Sequence, residues 1–173
     1  MFFLVLYSMG LRLGEALHLT VNDIDGETMQ VHIREDKGGK DRLVPLPKRT
    51  LQALRCYWKT HRHPLLLFPR FGQTKQASMQ CTPMDKGSVQ KALKKVITEL
   101  GIKKNISPHS LRHCFATQLL EQGMDLRSLQ ILLGHNSLNT TAKYTQLTRI
   151  KQKDNVLALN ALTDKLPIQW ETL

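Results

Sequence analysis

Five residues in the second half of the chain, His109, Arg112, His113, His135 and Tyr144, combine cationic groups with a single phenol. Positions i and i+3 of a helix share a face, so His109 and Arg112 can address one group from the turn after Pro108. The start of a helix also favours an anion. His135 directly follows Gly134, and Tyr144 comes nine residues later, enough for a turn and one short helix to return its hydroxyl to the same pocket. Such a set suits a phosphodiester. Two guanidiniums, from Arg12 and Arg112, can clamp the non-bridging oxygens and stabilise the charge that grows on them. Tyr144 then attacks phosphorus, a histidine accepts the phenolic proton, and a lysine at a hairpin tip protonates the leaving oxygen, with no metal required. A phosphotyrosine formed this way keeps the bond energy for rejoining.

Other chemistries fit less well. His109 and His113 have the i, i+4 spacing of a zinc-binding helix, but the Glu of His-Glu-x-x-His is missing and Arg112 sets a cation beside the metal. Cys114 next to His113 points in a different direction on a helix. There is no Gly-x-Ser-x-Gly elbow, Walker-type loop or Gly-x-Gly-x-x-Gly, and the clustered carboxylates of a two-metal nuclease are absent.

The elements that must position these residues can be read from periodicity and caps. Helical pieces are expected over 2–8 and about 12–19, interrupted at Gly10. Asn22 to Gly26 reads as a turn. Met29, Val31 and Ile33 alternate with polar residues as a half-buried strand, Leu43 to Leu46 is its partner, and Gly38-Gly39 between them suits a tight hairpin. A helix over about 49–61 is followed by a loop over 63–84 and a second helix over 86–100. Ser107-Pro108 is a sharp start for a helix running to about Gln122, Asp125 caps another that Gly134 closes, and shorter helical pieces cover about 139–147 and 150–162. The fold class is therefore α+β, mainly α, with a small antiparallel sheet near residues 27–46.

Composition narrows the partners. The 173 residues carry 25 Lys and Arg against 14 Asp and Glu, a formal charge of +11. With 41% hydrophobic residues the chain can build a core without metals or disulfides. From Arg34 to Arg62 there are nine Lys or Arg against three acids, and from Lys86 to Lys104 six against Glu99 alone. Two such runs imply a broad positive surface for nucleic acid. Cys56, Cys81 and Cys114 form no Cys-x-x-Cys pair, which fits a reducing cytoplasm. The apolar run from Phe2 to Tyr7 is too short for a membrane span and lacks the features of a signal peptide. Apolar on all sides, it is expected to need cover from other protein.

Together these segments resemble the tyrosine recombinases, also called the phage integrase family. Gly10-Leu11-Arg12-Leu13-Gly14-Glu15-Ala16-Leu17 resembles the first arginine box, and Lys37-Gly38-Gly39-Lys40-Asp41-Arg42-Leu43-Val44-Pro45-Leu46 the catalytic-lysine hairpin. His109-Ser110-Leu111-Arg112-His113, Leu132-Leu133-Gly134-His135 and Tyr144 resemble the second box and its nucleophile. The resemblance implies cleavage and rejoining of duplex DNA through a 3′-phosphotyrosyl bond, without a cofactor. Arg12, Arg112 and His135 bind the scissile phosphate in this reading, Lys37 is the general acid, His109 the general base, and Glu15 orients the site. Lys40 and Arg42 are expected to contact DNA. The resemblance also implies a catalytic domain over 1–148 lacking an amino-terminal DNA clamp, a tail over 149–173 that docks on a neighbouring subunit, and a tetrameric synapse. The competing expectation is a DNA-binding remnant without turnover.

Overall fold

The structure is a computed structural model and describes residues 1–34, 41–70 and 82–145. Helix α1 (Phe2–Met9) opens the chain, with Phe2, Val5, Leu6 and Met9 buried. Its cover comes from elements that follow it in sequence, chiefly α5 (Pro108–Glu121), with smaller parts from α2 (Leu13–Leu17) and α3 (Lys48–His61). The cover expected from other protein is thus supplied within this chain, although Leu4 and Tyr7 stay exposed. Gly10 ends α1 at φ 60, the left-handed conformation of a helix C-cap. It also lets two elements meet, because a Cβ there would lie 2.3 Å from Cδ1 of Phe115 on α5.

The short α2 (Leu13–Leu17) leads into a three-stranded antiparallel sheet of order β1 (Ile24–Asp25), β2 (Gln30–Ile33), β3 (Arg42–Pro45). Val31 pairs with Val44, and both are buried with Ile33 while their neighbours along each strand face outward, the period-two pattern read from the sequence. β1 falls where only a turn was expected. Both features are present: Asp25 Oδ1 accepts from the amides of Glu27 and Thr28, and this tight reversal folds Ile24 back onto Val31 as an edge strand.

Helix α3 buries Thr50, Leu51 and Leu54. Helix α4 (Lys86–Glu99) is capped by Asp85, which accepts from the Ser88 amide at 2.7 Å. Ser107 and Pro108 start α5 as the sequence indicates, and Asp125 caps α6 (Leu126–Leu133) through the Ser128 amide. The last described helix, α7 (Leu138–Ala142), is shorter than expected. The core has two parts: a large one uniting α1, the sheet and α3, and a small one between α5 and α6 made of Ala116, Leu120, Leu129, Leu133 and Tyr144. Among the described residues no helix is long and apolar enough to cross a membrane. The expected tail over 149–173 and the hairpin tip carrying Lys37 and Lys40 lie outside the described residues.

Candidate active site

Three arginines from distant segments converge on Glu15. Arg12 precedes α2, and its amide donates to Glu15 Oε2 at 2.8 Å while its Nη1 donates to Oε1 at 2.7 Å. Arg42 reaches in from β3 with both Nη atoms on the same carboxylate, at 3.0 and 2.9 Å. Arg112, on α5, brings Nη1 to 3.9 Å of Oε2. Burial works to raise the Glu15 carboxyl, but the hydrogen bonds and charge of Arg42, then those of Arg12, prevail and hold it below 4.5. Glu15 is thus an anion at neutral pH. A carboxylate so enclosed is stable only because the cations around it compensate.

Main-chain carbonyls complete the cradle. Arg112 donates to Gly10 O at 2.7 Å and to Leu133 O, Arg12 to Gly134 O at 2.9 Å, and Arg42 Nε to Leu132 O at 3.2 Å. Gly10 and Gly134 are the C-caps of α1 and α6, so these oxygens belong to helix ends, where carbonyls lack partners within the helix and carry the negative end of the dipole. Two helix ends therefore hold the guanidiniums. Arg112 is 1% exposed, yet its Nε has no hydrogen-bond partner, a buried donor that an incoming anion can satisfy. Burial and the charges of Arg12 and Arg42 draw Arg112 down to about 10, still cationic at neutral pH.

The histidines and the phenol lie against this cradle. His135 follows the C-cap of α6, and its Nδ1 is 2.9 Å from Thr141 Oγ1. Its ring stacks on Tyr144 with centroids 6.3 Å apart and planes 13° apart. Burial, followed by Arg112, Arg12, Arg42 and His109, pushes His135 down to about 4. His109 and His113 are likewise lowered, mainly by burial, and then by His113 and Arg112 for the first and by Arg112 for the second. All three imidazoles are therefore neutral at pH 7 and able to accept or donate a proton. Tyr144 is 3% exposed, and burial raises its hydroxyl above 10 despite the opposing pull of Arg112. The phenol keeps its proton until a base removes it.

Arg12, Glu15, His109, Arg112, His135 and Tyr144 thus lie together around one cradle. Arg42 joins them in a different place from that expected. Its side chain is 9% exposed and engaged with Glu15 and Leu132 O, so it faces inward. Lys37 and Lys40 are not among the described residues. His113, to which the resemblance assigns no role, also meets the site: its ring lies 5.2 Å from Tyr144 and 4.3 Å from His109. The available signal is the i, i+4 spacing from His109, which on sequence alone suggests only a poor metal pair, and the described residues contain no cluster of three or more His, Cys, Asp or Glu able to hold a metal. Beside Arg12 and His109 opens a cleft of about 350 Å³, also lined by Lys86, Gln90 and Ser107.

Comparisons with known proteins identify the family and the fold. The model of the phage integrase family matches residues 1–150. The chain is 38% identical over 161 residues to tyrosine recombinase XerA of Pyrococcus furiosus, covering 92% of this chain and 54% of that protein. It is 40% identical over 152 residues to tyrosine recombinase XerD of Corynebacterium glutamicum, covering 83% and 46%. Among solved structures, a crystal structure of XerA recombinase superposes with TM-score 0.71 at 29% identity, covering 96% of this chain and 55% of that one. XerH recombinase bound to palindromic difH substrate in a post-cleavage complex superposes with TM-score 0.75 at 26% identity, covering 90% and 44%. The chain spans about half the length of the curated relatives it matches.

Proposed function

The chain belongs to the phage integrase family, and on that premise we propose that it cleaves and rejoins duplex DNA through Tyr144. The observation that carries this reading is that the His135 ring, stacked on Tyr144, lies within electrostatic reach of both Arg12 and Arg112, the latter also acting on the phenol. Arg12 and Arg112 take the non-bridging oxygens of one phosphodiester, and His135 donates a further hydrogen bond to it. The Tyr144 oxygen attacks phosphorus while its proton passes to His109. The bond from phosphorus to the 5′ oxygen breaks, and Lys37 protonates that oxygen. The products are a 3′-phosphotyrosyl bond and a free 5′-hydroxyl, and attack by the 5′-hydroxyl of a partner strand reverses the step. The guanidinium clamp stabilises the charge that develops on the phosphoryl oxygens, and the neutral imidazole supplies the base. Glu15 and Arg42 fix the arginines from behind.

Duplex DNA is the partner in this reading, and the charge of +11 supports it. Four copies acting on two duplexes form the synapse, with the segment 149–173 docking between neighbours, in the cytoplasm and without a cofactor. Incubation with a nicked duplex, from which the severed strand end escapes, tests the activity. The expected result is a denaturant-stable protein–DNA adduct that is absent in Tyr144→Phe. Salt-sensitive binding with no adduct supports instead the DNA-binding remnant.

A further inference from the structure

We propose that His113 is a positioning residue that holds the ring of Tyr144 in register with the Arg112 clamp, an inference that rests on the reading of Tyr144 as the nucleophile. Arg112 and His113 are consecutive residues of α5, and consecutive helical side chains diverge by about 100°. The first turns inward to the carbonyls of Gly10 and Leu133. The second stays at the surface, where its ring meets two others: His109 edge-on at 4.3 Å with planes 81° apart, and Tyr144 at 5.2 Å with planes 57° apart. Tyr144 is also stacked on His135. The phenol ring therefore lies against imidazoles from two different segments, each beside a residue of the arginine cradle.

Local structure alone does not hold Tyr144 there. It follows α7, which has five residues, and so short a helix has little stability of its own. Among the described residues no hydrogen bond reaches its hydroxyl. Orientation must come from the packing of the ring, and α5, a 14-residue helix, offers the rigid wall. By presenting His113 one residue after Arg112, α5 sets both the phosphate clamp and the direction of the nucleophile. No hydrogen bond joins His113 to the phenol, so its part is to place the ring, distinct from the proton transfer assigned to His109.

The test uses the whole chain and the variants His113→Ala and His113→Phe, with two readouts. The first needs no turnover: nuclear Overhauser contacts between the Tyr144 and His135 rings in tyrosine-labelled protein. The second is the rate of adduct formation at saturating nicked DNA. We expect His113→Ala to lose the ring contacts and to slow the adduct on the order of 100-fold, with DNA affinity and melting temperature unchanged. His113→Phe, which keeps a flat ring, restores the contacts and recovers most of the rate. Persistence of the Tyr144–His135 contacts in His113→Ala overturns the inference. So does a His113→Phe variant as slow as His113→Ala, since ring packing is then not what matters. If the contacts respond as expected but no protein forms an adduct, positioning stands and the recombinase reading fails.

Discussion

Arg112 Nη1 donates to the carbonyl of Gly10 at 2.7 Å, joining residues 102 apart in the chain. The bond ties α5 to the end of α1 and, through Leu133 O and Glu15, to α6 and α2. The group that would clamp the phosphate is thus also a structural pin. Arg112→Gln should lower unfolding free energy by about 3 kcal/mol, the scale for removing one partner of a buried charge network. It should also abolish adduct formation. Urea unfolding measures the first effect, and Arg112→Lys, which cannot fork across two carbonyls, should recover little of either.

Arg42 gives a sharper contrast between the expected and observed placements. A DNA-contacting residue, when removed, weakens binding and lowers the salt slope by about one with little effect on folding. A buried partner of Glu15 does the reverse. Because Arg42 is 9% exposed and bonded to both Glu15 oxygens, Arg42→Ala should cost about 3 kcal/mol of stability and leave the salt dependence of DNA binding unchanged.

The neutral histidines make stability depend on pH. His135 is held at about 4 in the folded chain against 6.5 when free, so between those values the unfolded state carries a proton that the native state lacks. Stability therefore falls as pH drops from 6.5 toward 4 and levels off for this group below that. His109 and His113, also lowered, act in the same direction. Glu15, lowered from 4.5, adds its loss only at more acidic pH. Unfolding free energies measured from pH 7.5 to 5 should decline with acidification, and His135→Gln should flatten the slope.

Gly10 is required for two independent reasons. Its φ of 60 disfavours a Cβ by roughly 1–2 kcal/mol, and that Cβ would overlap the Phe115 ring at 2.3 Å. Gly10→Ala should be destabilising by more than the backbone term alone. Adding Phe115→Leu, which shortens the obstructing ring, should return the steric part and leave the backbone part, a coupling readable in a double-mutant cycle.

Much of this site was legible in the sequence because its signals are local. Ser107-Pro108 and Asp125 announce the helices that carry Arg112 and precede His135, and the period-two apolar pattern fixes the pairing of Val31 with Val44. The burial of Arg42 was not legible because a basic residue on a hairpin is exposed by default, and only the fold brings Glu15 and the α6 carbonyls beneath it. The same holds for α1, whose main cover is α5, far along the chain. His113 carried a spacing signal, but a ring contact with Tyr144 across thirty-one residues has no local signature.

The convergence on one phosphorus is most directly tested by a crystal structure of Tyr144→Phe bound to a duplex. A single phosphate is expected within hydrogen-bonding distance of Arg12, Arg112 and His135, with the substituted ring at position 144 facing the bond to the 5′ oxygen. A DNA backbone that crosses another face of the molecule, or a phosphate held by Arg42 or Lys86 without Arg112, contradicts it.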